Sequence, residues 1–197
     1  EHYINQAISP IEPGPYTLSA YVKTEQRTQL RVQMLDGVHG GVTADYALDQ
    51  GTVALHPHSK WVDAALSPVG AGWNRLTASA EFTGSSLTWL VQLVDDRGTT
   101  FLAEDQSILI AGLMIERGTL ASDYILPPVL PGDGDNLVPV SHGLHMSPGG
   151  TSHAAIELTP DTFEQMRVFE VTARGAEAAG EHYINQAISP IEPGPYT

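Results

Sequence analysis

Residues 1–17 read EHYINQAISPIEPGPYT, and residues 181–197 read EHYINQAISPIEPGPYT again, without one substitution. Identity over a stretch of this length does not arise by chance, so the chain holds one full period of a repeat and the beginning of the next. The two copies start at residues 1 and 181, an offset of 180 residues. A period of that length is the size of a whole domain and is too long for a solenoid unit.

Two explanations of the duplication fit the sequence. The chain is either a slice of a tandem array of near-identical domains or an engineered permutation that carries the junction strand at both ends. In both cases the first and last residues need not be the boundaries of a natural domain.

The composition indicates an acidic, turn-rich domain. There are 23 acidic and 9 basic side chains, for a net charge of −14, which argues against nucleic acid or an anionic membrane as partner because both need a basic face. No run approaches the roughly 18 apolar residues of a membrane span, so we expect no membrane insertion. Cysteine is absent, so neither a disulfide nor a thiolate metal site can form. With 19 glycines and 14 prolines, the chain is poor in helix formers, which favours an all-β fold.

Several segments alternate between apolar and polar residues, as expected of half-buried strands. The clearest are residues 16–23 (YTLSAYVK), 29–35 (QLRVQML) and 73–82 (WNRLTASAEF). Residues 107–116 (SILIAGLMIE) are apolar on both faces, which predicts a strand in the middle of a sheet, covered on both sides. Residues 163–172 (FEQMRVFEVT) also alternate, and we predict a strand there in preference to a helix.

The order of short phrases resembles the jelly-roll carbohydrate-binding modules of the family 4/9 kind, and their relatives repeated along phage tail fibres and minor tail proteins. The phrases that carry the resemblance are residues 136–139 (NLVP), 182–188 (HYINQAI), 15–23 (PYTLSAYVK), 71–76 (AGWNRL), 110–118 (IAGLMIERG) and 121–125 (ASDYI). The resemblance implies a jelly-roll β-sandwich of the galactose-binding-like type. It implies no particular ligand, since no ligand-binding motif of the family matches.

The resemblance also implies a circular permutation, because the natural module would start near Asp135 and end near Ile125 of the next period. Residues 1–125 would then be the body, with residues 1–17 as a shared strand, and residues 126–134 a proline- and glycine-rich linker. Residues 135–180 would be the opening strands, and residues 181–197 the second copy. We expect residues 135–180 to fold back onto the body, since two separate halves would expose unpaired strand edges. The surplus copy would then fray or pair with a neighbouring copy of the module, giving a homo-oligomer.

Aromatic rings are the candidates for ligand binding, because a ring covers the apolar face of a sugar. Trp61 follows a polar loop and is the first candidate, with Tyr21 and Tyr46 as further ones. Trp73 and Trp89 lie in alternating segments and are predicted to be core residues.

Carboxylates and histidines are the candidate metal ligands of the sequence. A structural calcium is common in modules of the resembled kind, and Asp123, Asp133 and Asp135 near the module junction would supply its carboxylates; the alternative is a solvated acidic linker. Histidines at positions 56, 58, 142, 145 and 153 have loop-like spacing, which indicates polar loop residues and not a metal site.

The sequence contains no Gly-x-Ser-x-Gly elbow, phosphate loop or dinucleotide fingerprint, so we expect no enzyme. The first hypothesis is a non-catalytic repeat of a phage tail or head fibre, located in the virion, that acts as a spacer or binds cell-surface glycans. The alternatives are an extracellular carbohydrate-binding module of a secreted glycoside hydrolase and a β-sandwich hydrolase.

Overall fold

A computed structural model of the protein describes residues 2–8, 11–36, 40–57, 60–94, 106–124, 154–164, 166–173 and 182–185. The strands of these ranges are β1 (His2–Ile8), β2 (Gly14–Thr24), β3 (Gln29–Asp36), β4 (Gly40–Ala47), β5 (Thr52–Leu55), β6 (Trp61–Gly70), β7 (Trp73–Phe82), β8 (Leu87–Leu93), β9 (Gln106–Arg117), β10 (Ala154–Phe163), β11 (Met166–Ala173) and β12 (His182–Asn185). Within the same ranges, no helix is long and apolar enough to cross a membrane.

The strands form two six-stranded sheets. The first sheet has the order β12-β1-β8-β3-β4-β5, and the second has the order β10-β11-β9-β2-β7-β6. Neighbouring strands are antiparallel except β1 and β12, which are parallel. The predicted all-β sandwich is confirmed, while its jelly-roll character and circular permutation stay predictions.

The main core lies between the two sheets and comes from the inward residues of the alternating segments. β3 alternates between buried and half-buried side chains along its whole length, with Leu30, Val32 and Met34 fully buried. They pack in one cluster with buried residues of the second sheet, including Leu18 and Leu76. Trp89 is also fully buried in this cluster, as the alternation of its segment predicts.

A hairpin from the later part of the chain extends the second sheet. β11 pairs with β9, with Val168 opposite Ala111 and Thr172 opposite Ser107. This places β9 in the middle of the sheet, as its apolar sequence predicts. The predicted strand at residues 163–172 is wrong in its boundaries: Phe163 ends β10 and Glu164 turns with a positive φ of 47°, so the alternation spans two strands joined by a turn. The predicted linker at residues 126–134 lies outside the described residues, and the division into body and opening strands stays a prediction.

β6 was missed by the sequence analysis. Its residues Trp61–Gly70 show no regular alternation, and most of its side chains are exposed because it is the outer strand of the second sheet. Pro68 suits such a position, since an edge strand leaves backbone N–H groups without a partner strand.

A buried carboxylate fixes the start of β6. Asp36 is 3% exposed, and its Oδ2 accepts hydrogen bonds from Lys60 Nζ at 2.9 Å, from the Thr83 backbone N–H at 3.1 Å and from the Gly84 N–H at 3.2 Å. The end of β3 is thereby tied to the β7–β8 turn and to the residue that precedes Trp61. Buried carboxylates require such compensation, because an unpaired one would cost several kcal/mol.

The outer face of the second sheet is also buried, and we call it the covered face. Trp73 stacks on Phe163 of the hairpin with ring centroids 4.6 Å apart, and Tyr21 lies 5.2 Å from the same ring. Met166 and Val168 complete this second apolar cluster. The hairpin is therefore held by pairing along β9 and by aromatic packing across the sheet.

The opposite end of the covered face is polar and lies under the segment that follows β9. Thr17 Oγ1 donates to the Gly118 carbonyl at 2.8 Å and lies 2.7 Å from Ser79 Oγ. Ser122 donates through its backbone N–H and its hydroxyl to the two carboxylate oxygens of Glu116, both at 3.0 Å. These bonds fasten residues 118–122 across the sheet.

Candidate functional site

The outer face of the first sheet carries hydrogen-bonding side chains at its centre. Arg31 of β3 is paired in register with Gln92 of β8 on one side and with Asp45 of β4 on the other. Residues directly opposite each other in antiparallel strands project from the same face. The three side chains therefore form a row across three strands. His56, the residue that follows β5, contacts Asp45 and adds a fourth side chain. We call Gln92, Arg31, Asp45 and His56 the polar row.

The geometry of the polar row is set by Asp45. Arg31 binds its carboxylate in a bidentate manner, with Nε 2.6 Å from Oδ1 and Nη2 2.9 Å from Oδ2. His56 Nε2 lies 2.8 Å from Oδ2 and donates to it when the carboxylate is ionised. Three members of the row stay accessible, since the side chains of Arg31, Asp45 and His56 are 20%, 33% and 48% exposed. Gln92 is buried, at 3% exposed.

Partial burial and hydrogen bonding act in opposite directions on Asp45. Burial disfavours the charged form, but the hydrogen bonds from Arg31 and His56, together with their charges, outweigh it and lower the pKa of the carboxyl below its ordinary value. Asp45 is therefore an anion at neutral pH, and its two neighbours are held in fixed orientations.

Trp61 lies next to the polar row. Its indole Nε1 donates to the backbone carbonyl of His56 at 3.1 Å, and its ring packs partly against the main core. Trp61 is opposite Ala80 of the main core on β7, so its half-buried ring lies on the core side of the second sheet and not on the outer face of the first. Of the three predicted aromatic candidates, it alone reaches the polar row, and it does so only through the backbone of His56.

The other two aromatic candidates are buried. Tyr46 is 1% exposed because its position on β4 has the same parity as the inward residues Val42 and Ala44. Its hydroxyl donates to the Thr77 carbonyl at 2.6 Å, and burial, with the charge of Asp63 adding to it, raises the pKa of the phenol. The interpretation of Tyr46 as a ligand platform is therefore corrected to a core residue.

Tyr21 does project from the sheet away from the core, but it is only 8% exposed. The hairpin residue Phe163 lies over it, and the guanidinium of Arg75 lies 5.5 Å from its ring centroid. Tyr21 belongs to the covered face and offers no platform to a ligand. Trp73 is buried as predicted, although it packs in this second cluster and not between the sheets.

The predicted calcium ligands are not brought together in the part of the chain that the structure describes. Asp123 is exposed, and Asp133 and Asp135 lie outside the described residues. Among the described residues, no group of three or more His, Asp or Glu side chains could hold a metal ion. Of the histidines considered, His56 bonds to Asp45, and the other four are outside the described ranges.

Sequence reasoning missed Arg31, Asp45 and Gln92. The alternation in residues 29–35 already places Arg31 and Gln33 on the face opposite the core, and that signal could have identified one strand of the row. The pairing of Arg31 with Asp45 depends on the register between β3 and β4, which no local pattern specifies.

Chemically, the polar row combines a fixed carboxylate, a guanidinium, an imidazole and an amide. Such groups offer donors and acceptors about one strand spacing apart, which suits a ligand with several hydroxyl groups. Comparison of the sequence with protein-family models and with curated proteins finds no match. The function is therefore argued from the geometry of this face.

Proposed function

We propose that this protein is a non-catalytic β-sandwich repeat of a fibre, of the kind found in phage tail or head fibres, and that the outer face of its first sheet binds cell-surface glycans. The observation that carries the proposal is the polar row. In this row, side chains that can bind hydroxyl groups lie on the outer face of the first sheet. The opposite face of the same strands packs in the apolar core.

The bidentate pair of Arg31 and Asp45 supports this function. The two side chains fix each other, so little conformational entropy would be lost when a ligand binds. A sugar with neighbouring hydroxyls can donate to the carboxylate and accept from the guanidinium at the same time. Polar groups that are already held in place in this way favour the binding of a ligand over contact with water alone.

An unsatisfied acceptor lies beside the pair. Gln92 is 3% exposed, and its Oε1 has no hydrogen-bond partner within the described part of the chain. A buried acceptor without a donor is costly, by about 1–3 kcal/mol. Because this oxygen is buried, a ligand hydroxyl at the polar row, next to Arg31, would supply the missing donor only after the side chains over Gln92 move aside.

Charge and ring content narrow the ligand class. A net charge of −14 repels polyanions at long range, so neutral glycans fit better than acidic polysaccharides. Trp61 keeps part of its ring exposed and is bonded to the backbone of His56, so a neutral sugar that extends past His56 would also contact the ring.

A glycan array followed by calorimetric titration of any ligand found tests the proposal. We expect binding of a neutral glycan, weakened about tenfold or more by Asp45→Asn, since one hydrogen bond to a charged group contributes about 1.5–3 kcal/mol. Trp61→Ala should weaken binding further than Trp61→Phe, which keeps a ring and removes only the indole donor.

Ser67→Ala is the matched control, because Ser67 is an exposed hydroxyl on β6, in the other sheet. Binding that is equally reduced in this control, or unaffected by Asp45→Asn, would contradict the site. If no glycan on the array binds and sugars do not change the melting temperature, the spacer function is favoured. Hydrolysis of a polysaccharide panel would favour the enzyme alternative instead.

A further inference from the structure

The described part of the second stretch, residues 182–185, lies beside the first stretch in the structure. β12 pairs with β1 in parallel, with His2 opposite His182 and Asn5 opposite Asn185. Each described residue of the second copy is thus opposite its own duplicate in the first. β12 is β1 displaced sideways by one strand, about 4.8 Å, in the same direction and the same register.

The direction of β12 is the one that the position beside β8 requires. β1 runs antiparallel to β8 over seven residue pairs, from His2 opposite Leu93 to Ile8 opposite Leu87. Because β12 is parallel to β1, it is also antiparallel to β8. No reversal of the strand would be needed for the second copy to take the place of the first.

The place held by the first copy is a specific site that extends well beyond β1. Ile8 is buried in the main core, and the backbone N–H of Ile11 donates to the Ser85 carbonyl at 2.9 Å. The ring of Tyr16 packs edge-on against Phe82 with centroids 5.9 Å apart. A segment of identical sequence placed in this site would make the same contacts.

The remaining partners of the first copy also lie in the body of the sandwich. Glu12 forms an ion pair with Arg117, and the Pro15 carbonyl accepts from the Gly118 N–H at 2.9 Å. Thr17 contacts Ser79 and Gly118. Apart from β12, all the partners named for the first copy fall within residues 79–118, so the second copy of another chain could make the same bonds.

We propose that residues 181–197 are a donor strand, and that the position of residues 1–17 beside β8, β7 and β9 is its binding site on a second copy of this chain. Within one chain, the first copy is continuous with β2 and holds the site. The second copy of another chain fills the site where the first copy is weakened or displaced. Donor and site are different surfaces, so the contact is head-to-tail and extends into open chains, as a fibre requires.

Engineered cysteines test this directly, because the chain has no cysteine of its own. Thr17 and Ser79 are register partners on β2 and β7, with Oγ atoms 2.7 Å apart. The control T17C/S79C should form a disulfide within monomers. T197C/S79C, combined with Ile8→Asp to weaken the first copy, should form disulfide-linked dimers and longer ladders that increase with protein concentration on non-reducing gels.

The absence of a T197C/S79C disulfide, or a disulfide confined to monomers at every concentration, would overturn the proposal. Melting temperatures distinguish strand replacement from a simple folding defect. Ile8→Asp alone should lower the melting temperature by a few degrees at high protein concentration, because a second copy replaces the first. Ile8→Asp with Ile188→Asp should lower it by about 10 °C or more. Equal losses in the single and double variants would also overturn the proposal, which does not depend on glycan binding.

Discussion

The outer faces of the two sheets differ in what lies against them. On the second sheet, Trp73 and Tyr21 are buried under the β10–β11 hairpin. On the first sheet, Arg31 and Asp45 pair with each other across β3 and β4 and keep part of their surface in solvent. An apolar face needs a cover supplied from elsewhere in the chain, whereas the paired charges on β3 and β4 keep contact with solvent. The same outer face is buried at β8, where Leu90 and Gln92 are 7% and 3% exposed.

The largest expected effect is on the covered face. Trp73→Ala removes the ring that stacks on Phe163, and truncation of a buried tryptophan costs about 3–5 kcal/mol of unfolding free energy. Chemical denaturation measures the loss. Leu120→Ala is the control, because this side chain is 79% exposed and its truncation should cost less than about 0.5 kcal/mol. A loss below about 1 kcal/mol for Trp73→Ala would mean that the hairpin does not depend on this packing.

A smaller effect is expected at Gly112, where the covered face has no room for a side chain. Gly112 has a φ of +56°, and a Cβ atom there would meet Met166, Tyr21 and Tyr124. Gly112→Ala should cost about 2–4 kcal/mol from backbone strain and overpacking together. Gly51→Ala is the matched control: Gly51 has a φ of +66° with nothing near its Cβ position, so this variant measures backbone strain alone. Equal losses in the two variants would contradict the close packing at Gly112.

The smallest effect is expected on the polar row and appears in its pH dependence. Because the pKa of Asp45 is lowered on folding, its stabilisation is present above the ordinary value of 3.8 and is lost as the pH falls through the folded value. The difference in unfolding free energy between wild type and Asp45→Asn should be below about 1 kcal/mol at neutral pH, since the group is one-third exposed. It should vanish in acid. A difference that grows as the pH falls would show that the sign of the pKa shift is wrong.

Strand positions were predictable where burial follows a regular pattern along the strand, on one face or on both. The alternating segments that became β3 and β7 and the two-sided apolar segment that became β9 follow directly from how a strand exposes its faces. β6 was missed because an edge strand needs no alternation. The turn at Glu164 was missed because two short strands with the same alternation read as one.

The candidate site was less predictable than the fold. Trp61 was identified from its polar surroundings, and the structure places it beside His56. Tyr46 and Tyr21 were candidates because they are aromatic, but the parity of β4 buries one and the hairpin covers the other. Arg31 and Asp45 were not candidates, because each is an ordinary charged residue in the sequence. They form a site only when the fold pairs them.

The sequence by itself determined the all-β class, the acidic surface, the inward residues of the main core and the existence of two identical strands. These follow from composition, repetition and alternation, which are local properties of the chain. Only the tertiary structure decided that β12 lies against its own duplicate, that the hairpin covers Tyr21 and Trp73, and that Arg31 meets Asp45. The reason is that register and the stacking of one segment on another depend on contacts between residues far apart in the chain, which no local pattern encodes.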